Sequence, residues 1–543
     1  MKKQLFVATA VGLVSSLALA GCSSSDSGTA QGNSSAKSSS TATADSAANS
    51  GGIVSFRACE PQTAMIPGMI TEACGVQILG QVAATLVTYD SKGELVNDLA
   101  ESISSDDKQT WTVKVKAGRK FSDGTPVTAK SFVDAWNLIV REKQPQAYFF
   151  DDVEGYAEGK DLPGLKVVDD NTFTVKLNQP ESDWPVRLGH VTFVPLPEVA
   201  LKDIKAFGEK PVSSGPYLLD SWEHRKQIKL SVNPNYDGPR KAHNGGLNGL
   251  MYTSTDASYN DLLAGNLDIS DTIPESALQG FKDELNGRAA SKPYAGIATF
   301  TIPNRLKHFE GEEGKLRRKA ISLAINREEV TKVIFNGTKE PARDFTAPSI
   351  AGWNDKLPGS ENLNFNPEKA KELWAQADAI SKWDGTFKIA YNSDSGHQAW
   401  VDAVCNQVKN NLGIDAQGDA YPDLKSLRDK VENKTIETAF RAGWSADYPS
   451  AYNFLGPLYG TGAFGNDSGY SNPEVDKLLK EALGAKTEDE AKAKYDEAQK
   501  ILLQDLPAIP LWYSSVNGGW SANVENVDFG WDSLPILFAV TKN

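Results

Sequence analysis

Short alternating runs and longer runs of helical period follow one another along most of this chain. Apolar residues at every second position predict strands at 53–57, 111–116, 171–178, 228–236, 386–391 and 509–513. Apolar residues spaced three and four apart predict helices at 76–88, 129–141, 367–377 and 397–412, and one long amphipathic helix over 316–335. Punctuation agrees with the period. Thr128 stands where an N-cap is expected, Asn472-Pro473 opens a helix running to about 481, and Thr487 with Glu490 reads as a capping box for a helix ending near 506. Strands alternating with helices predict α/β layers. The stretch 441–455, RAGWSADYPSAYNFL, is too rich in Gly, Ser and Pro to read as a continuing helix.

With 543 residues the chain exceeds the size of a single core, so two or more lobes are expected. Its first residues form an address. Lys2 and Lys3 precede an apolar run at 5–17, too short to span a bilayer, and Leu19-Ala20-Gly21-Cys22 closes it. This resembles the lipobox of bacterial lipoproteins, which implies cleavage after residue 21, lipidation of Cys22 and an extracytoplasmic protein anchored to the cell membrane. Residues 23–51 are almost all Ser, Ala, Thr, Gly and Asn and read as a disordered tether. The other three cysteines divide in two ways. Cys59 and Cys74 are close in sequence and exported into an oxidising setting, so they are expected to form a disulfide, whereas Cys405 lies in an apolar helical pattern and reads as buried.

Candidate chemistry centres on 441–455. Asp447 lies between Trp444 and Tyr448, with Arg441 six residues upstream. A carboxylate flanked by aromatics, with a fixed positive charge nearby, suits a ligand with an ammonium at one end and a carboxylate at the other. Amino acids and peptides are such ligands. The alternative is a packing corner in which the Asp is satisfied internally. At Asn392-Ser-Asp-Ser-Gly-His397 a helix begins, where backbone N–H groups attract anions; His397 there is either an anion partner or an ordinary exposed cap. The aromatics 148–150 read mainly as packing, with one side open to a ligand.

The runs Arg441-Ala442-Gly443-Trp444 and Ala446-Asp447-Tyr448 resemble the amine-binding segment of oligopeptide-binding proteins, the solute receptors of ABC peptide importers. Other parts resemble the same family: Ser122-Asp-Gly-Thr-Pro-Val-Thr-Ala129 between a strand and a helix, Ser213-Ser-Gly-Pro-Tyr-Leu218 followed by 228–236 ending in Asn-Pro-Asn-Tyr, the 316–335 run, and Ile509-Pro-Leu-Trp-Tyr513. The resemblance implies a periplasmic-binding-protein-like type II fold, with two α/β lobes joined by hinge strands and an inserted third domain. Implied boundaries are 52–88, 196–300 and 516–543 for lobe I, 89–195 for the inserted domain II, and 301–515 for lobe III, after the signal peptide 1–22 and the tether. It also implies roles: Asp447 for the peptide α-amino group, Trp444, Ser445 and Tyr448 in the pocket, Arg441 and His397 toward a ligand carboxylate, and an aromatic of Trp512-Tyr513 either in the cleft or in the core. Implied partners are a peptide, a permease with its ATPase subunits, and the membrane through the lipid. A monomer is expected.

Several classes leave no mark. A net charge of −14 argues against nucleic acid as a partner. Gly443-Trp-Ser445-Ala-Asp447 misses a nucleophile elbow because Asp replaces the second Gly. There is no His-Glu-x-x-His, no Cys-x-x-Cys and no phosphate loop, and five His are scattered, so neither an enzyme nor a metal or other cofactor is expected. The rival readings are the same fold taking an oligosaccharide or a metal chelate, and a surface lipoprotein acting as enzyme or adhesin.

Overall fold

The computed structural model describes residues 51–393 and 395–542. The signal peptide, Cys22 and all but residue 51 of the tether lie outside them.

One ten-stranded sheet runs through the body. From edge to edge its strands are Asp415–Tyr421, Thr386–Asn392, Ala439–Ser445, Ala289–Thr301, Ala508–Trp520, Ile269–Ser270, Val54–Ala58, Leu247–Met251, Gln227–Val232 and Tyr217–Glu223. The two long central strands, Ala289–Thr301 and Ala508–Trp520, are antiparallel and connect both halves. A separate four-stranded sheet is built from Ala100–Ser104, Thr110–Val115, Thr172–Lys176 and Leu165–Asp169. Three large apolar clusters result: one draws its residues from 295–531, one from 84–207 with Tyr448 added, and one from 54–82, 191–269 and 516–540.

The predicted helix 129–141 is found as Ala129–Arg141. The Thr128 N–H donates to Ser131 Oγ at 3.2 Å, and the Ser131 N–H donates to the Thr128 carbonyl. Asn472 and Thr487 cap Pro473–Leu483 and Glu488–Asp505. The Glu490 carboxylate, however, takes the Lys486 N–H rather than that of Thr487. Three expectations need correction. The helix expected over 76–88 is Ala73–Val82, and Val87–Tyr89 is instead a strand paired with Leu95–Asn97. The 316–335 run is two helices, Gly311–Leu323 and Arg327–Val333, because the Asn326 side chain accepts the Glu329 N–H and starts a new helix there. The end of 441–455 is helical after all: Ala451–Tyr459 begins behind Ser450, whose Oγ accepts the Tyr452 N–H.

The signature 213–218 is structural. The Ser214 and Gly215 N–H groups both reach the Val82 carbonyl, and a Cβ on Gly215 would lie 2.8 Å from the backbone of residues 81–83. Asn233 donates to the Gly215 carbonyl, and the Tyr236 hydroxyl donates to Asp98. These contacts fix the helix Ala73–Val82, whose other end is tied by the disulfide between Cys59 and Cys74.

Candidate functional site

The crossing strand Ala289–Thr301 loses register with its partner between Pro293 and Ile297. Three residues there face one across the ladder, so the strand bulges. Ala295, in that bulge, turns its polar groups outward: its N–H donates to the Trp531 carbonyl at 2.6 Å and its carbonyl accepts the Ala446 N–H at 2.8 Å. One irregularity thereby holds two loops, 446–450 and 530–535, beside each other.

Both loops line a cavity of about 540 Å³. Its other walls come from the helix Ala73–Val82, the turn 88–90, Gln146 and Tyr148, and the segment 189–191. Asp447 and Ser445 lie on this wall. The Asp447 carboxylate is half-buried and accepts from Asn453 Nδ2 at 3.3 Å; among the described residues it forms no ion pair. Burial pushes its pKa up to about 6, a shift that the Asn453 hydrogen bond only partly opposes. Four acidic residues, Glu72, Asp90, Asp447 and Asp532, line the cavity together with one arginine, Arg240. The Arg240 guanidinium is already committed to the buried Asp98 at 3.1 Å. His190 in the wall is held neutral by burial, its pKa lowered to about 4. The cavity is therefore strongly electronegative.

Asn453 organises the carboxylate and was missed by sequence reasoning. It is buried near the start of Ala451–Tyr459, and its Oδ1 accepts both the Trp444 indole N–H at 3.0 Å and the Asp447 backbone N–H at 2.9 Å. The signal for it was there in retrospect: an Asn in the first turn after the Ser450 cap, six residues past Asp447.

The other predicted residues separate. Trp444 and Arg441 line a second cavity of about 360 Å³, with Phe464 and Leu427 among its other walls. There the Arg441 Nε donates to Asn392 Oδ1 at 2.7 Å, and Trp444 meets Phe464 with centroids 6.2 Å apart. His397 is in neither lining; its Nδ1 accepts the Trp400 indole N–H at 3.1 Å. Three of the predicted residues stand at packing positions, which for Trp512 and Tyr513 is the core alternative. Tyr448 is buried in the cluster of the four-stranded sheet, with its ring 5.5 Å from the Arg187 guanidinium, because the chain turns over between 446 and 450 and sends successive side chains to opposite sides. Trp512 and Tyr513 are each 1% exposed. Trp512 packs on Phe335 and Trp400, and the Tyr513 hydroxyl donates to Asp344 at 2.8 Å. The central strand they occupy is covered on both faces at that point, so alternation gives neither of them an open side.

Among the described residues no group of three or more His, Cys, Asp or Glu is placed to hold a metal ion, and no helix is long and apolar enough to cross a membrane.

Comparison with known proteins gives the arrangement a family. Residues 94–466 match the middle part of the bacterial extracellular solute-binding proteins, family 5. The periplasmic murein peptide-binding protein MppA of Escherichia coli K12 is 28% identical over 465 residues, covering 82% of this chain and 84% of that protein. The oligopeptide-binding protein OppA of Bacillus subtilis strain 168 is 25% identical over 468 residues, covering 82% and 85%. Among solved structures, the unliganded open form of MppA superposes with a TM-score of 0.77 at 24% identity, over 90% of this chain and 97% of that one. The fold is the type II arrangement of two α/β lobes and a third domain. With the family pattern spanning more than half its length and a shared fold over most of the rest, this chain belongs to the bacterial extracellular solute-binding proteins of family 5.

Proposed function

We propose that the protein is an extracytoplasmic receptor that captures peptides between its lobes and delivers them to a membrane permease driven by ATPase subunits. The observation that carries this reading is Asp447, a half-buried carboxylate that forms no ion pair among the described residues, in the wall of an electronegative cavity. A peptide α-ammonium supplies the missing charge, and a charge-assisted pair in a partly dry site is stronger than one on the surface. The names of MppA and OppA, a murein peptide-binding and an oligopeptide-binding protein, support the same ligand class.

In this reading lobe I comprises 52–88, 196–300 and 516–543, domain II 89–195 and lobe III 301–515, and the central strands serve as the hinge. Trp444 and Ser445 border the ligand. Arg441 and His397 answer its carboxylate end, while Tyr448, Trp512 and Tyr513 support the wall from behind. The receptor acts as a monomer without catalysis, held at the cell membrane by lipid on Cys22. To test it, the intact protein is incubated with a mixed library of short peptides, half of them N-acetylated, and the retained species are read by native mass spectrometry. Retention of free-amine peptides alone is expected; equal retention of acetylated peptides, or none of either kind, contradicts the reading.

A further inference from the structure

The amine pocket uses one of the acids in the cavity wall and leaves another unexplained. Asp532 lines the same cavity on the loop that the Ala295 N–H anchors through Trp531. Its Oδ1 accepts the Leu534 N–H at 3.1 Å, and among the described residues it has no ion pair. Burial raises its pKa to about 6, the same displacement as at Asp447. Its surroundings are aromatic. Trp531 meets Tyr89 edge to face at 5.3 Å, and both line the cavity beside it. The two acids belong to different loops of the wall, 446–450 and 530–535, which the Ala295 carbonyl and N–H hold beside each other. A carboxylate beside aromatic faces is a good environment for an ammonium or guanidinium. Arg240, the cavity's only guanidinium among the described residues, is held by Asp98 and by the carbonyls of Gly80 and Ala83, so it does not neutralise Asp532.

We infer that Asp532, with Tyr89 and Trp531, forms a second cation subsite, so that the preferred ligand carries a basic side chain in addition to its α-ammonium. This rests on the peptide reading above and narrows it to a substrate class. An Asp that served only to close its own turn through Leu534 would give no such preference.

The test compares lysine with norleucine, which keeps the alkyl chain and removes the charge. Trialanine and its six single replacements by lysine or norleucine are titrated calorimetrically into the intact protein at low salt, and then into Asp532→Asn. Lysine is expected to bind at least tenfold more tightly than norleucine at one position, and Asp532→Asn is expected to bring that ratio to within twofold of one. A general loss of affinity in the variant divides out of the ratio. Trialanine binding with a ratio near one at all three positions of the parent overturns the inference and leaves the amine pocket intact, and so does a ratio unchanged in Asp532→Asn. Failure of every peptide to bind the parent overturns both. Should the variant not fold, the parent's ratios still decide, because the inference does not survive the absence of a lysine preference.

Discussion

Asp447 is poised by its neighbours in a costly state. Its folded pKa of about 6 lies above the ordinary 3.8, so in the ligand-free protein the ionised form is the disfavoured one. Well below pH 3.8 the acid is neutral in both folded and unfolded states and contributes nothing. Well above pH 6 it is charged in both, and the folded state alone bears the desolvation, about 3 kcal/mol. Asp447→Asn is therefore expected to raise the melting temperature of the ligand-free protein at pH 7.5, with the gain shrinking as pH falls from 6 toward 4 and vanishing well below pH 3.8, measured by calorimetry. Stability traded for function in this way is common at binding sites. Peptide affinity should run the other way, falling about tenfold per unit as pH drops below 6, where a proton replaces the ammonium. Asn453 is the second lever. Asn453→Leu removes one donor and one doubly used acceptor from a buried position, with an expected loss of about 2–4 kcal/mol and a marked fall in affinity; thermal melts with and without ligand check both. Asp447 was legible in the sequence because a motif surrounds it. Asn453 was not, since its partners are set by how a five-residue loop turns back on a helix.

At the scale of elements, the bulge at 294–296 and the strand Ala439–Ser445 set the position of both loops. A Cβ on Gly443 would lie 2.7 Å from the Ile297 carbonyl oxygen, which is backbone and does not give way easily. Gly443→Ala should push the two strands apart, lower the melting temperature and weaken binding together, whereas Ala at the exposed Gly484, which has an ordinary φ of −83° and no atom closer than 3.6 Å to the added Cβ, should change neither; chemical denaturation and calorimetry separate the cases. Strands and capped helices were largely legible, because alternation and N-cap residues report local geometry directly, as at Ala129–Arg141. The break at Asn326 was not. Apolar spacing continues across it, and only the side chain's hydrogen bond to Glu329 divides the run. Trp512 and Tyr513 were ambiguous for another reason: a strand buried on both faces carries no alternation to show which side is open.

For the whole molecule, the disulfide closes a 15-residue separation and steadies one wall of the cavity, the helix Ala73–Val82. Replacing both Cys59 and Cys74 by Ser should lower stability by about 3 kcal/mol in the chain-entropy picture and loosen the site as well. The central strands join clusters that otherwise pack separately, which suits closure about a hinge. Ligand that binds the closed form adds about 2.7 kcal/mol at a hundredfold excess over Kd, and small-angle scattering should record a more compact particle. The central claim is that one carboxylate meets the ligand's amine, and a thermodynamic cycle tests it most directly: a free and an N-acetylated peptide, each titrated into the parent and into Asp447→Asn at pH 7.5. The account predicts that acetylation weakens binding to the parent by well over tenfold and has little effect in Asp447→Asn. An equal loss on acetylation in both proteins, or no loss in either, would contradict it.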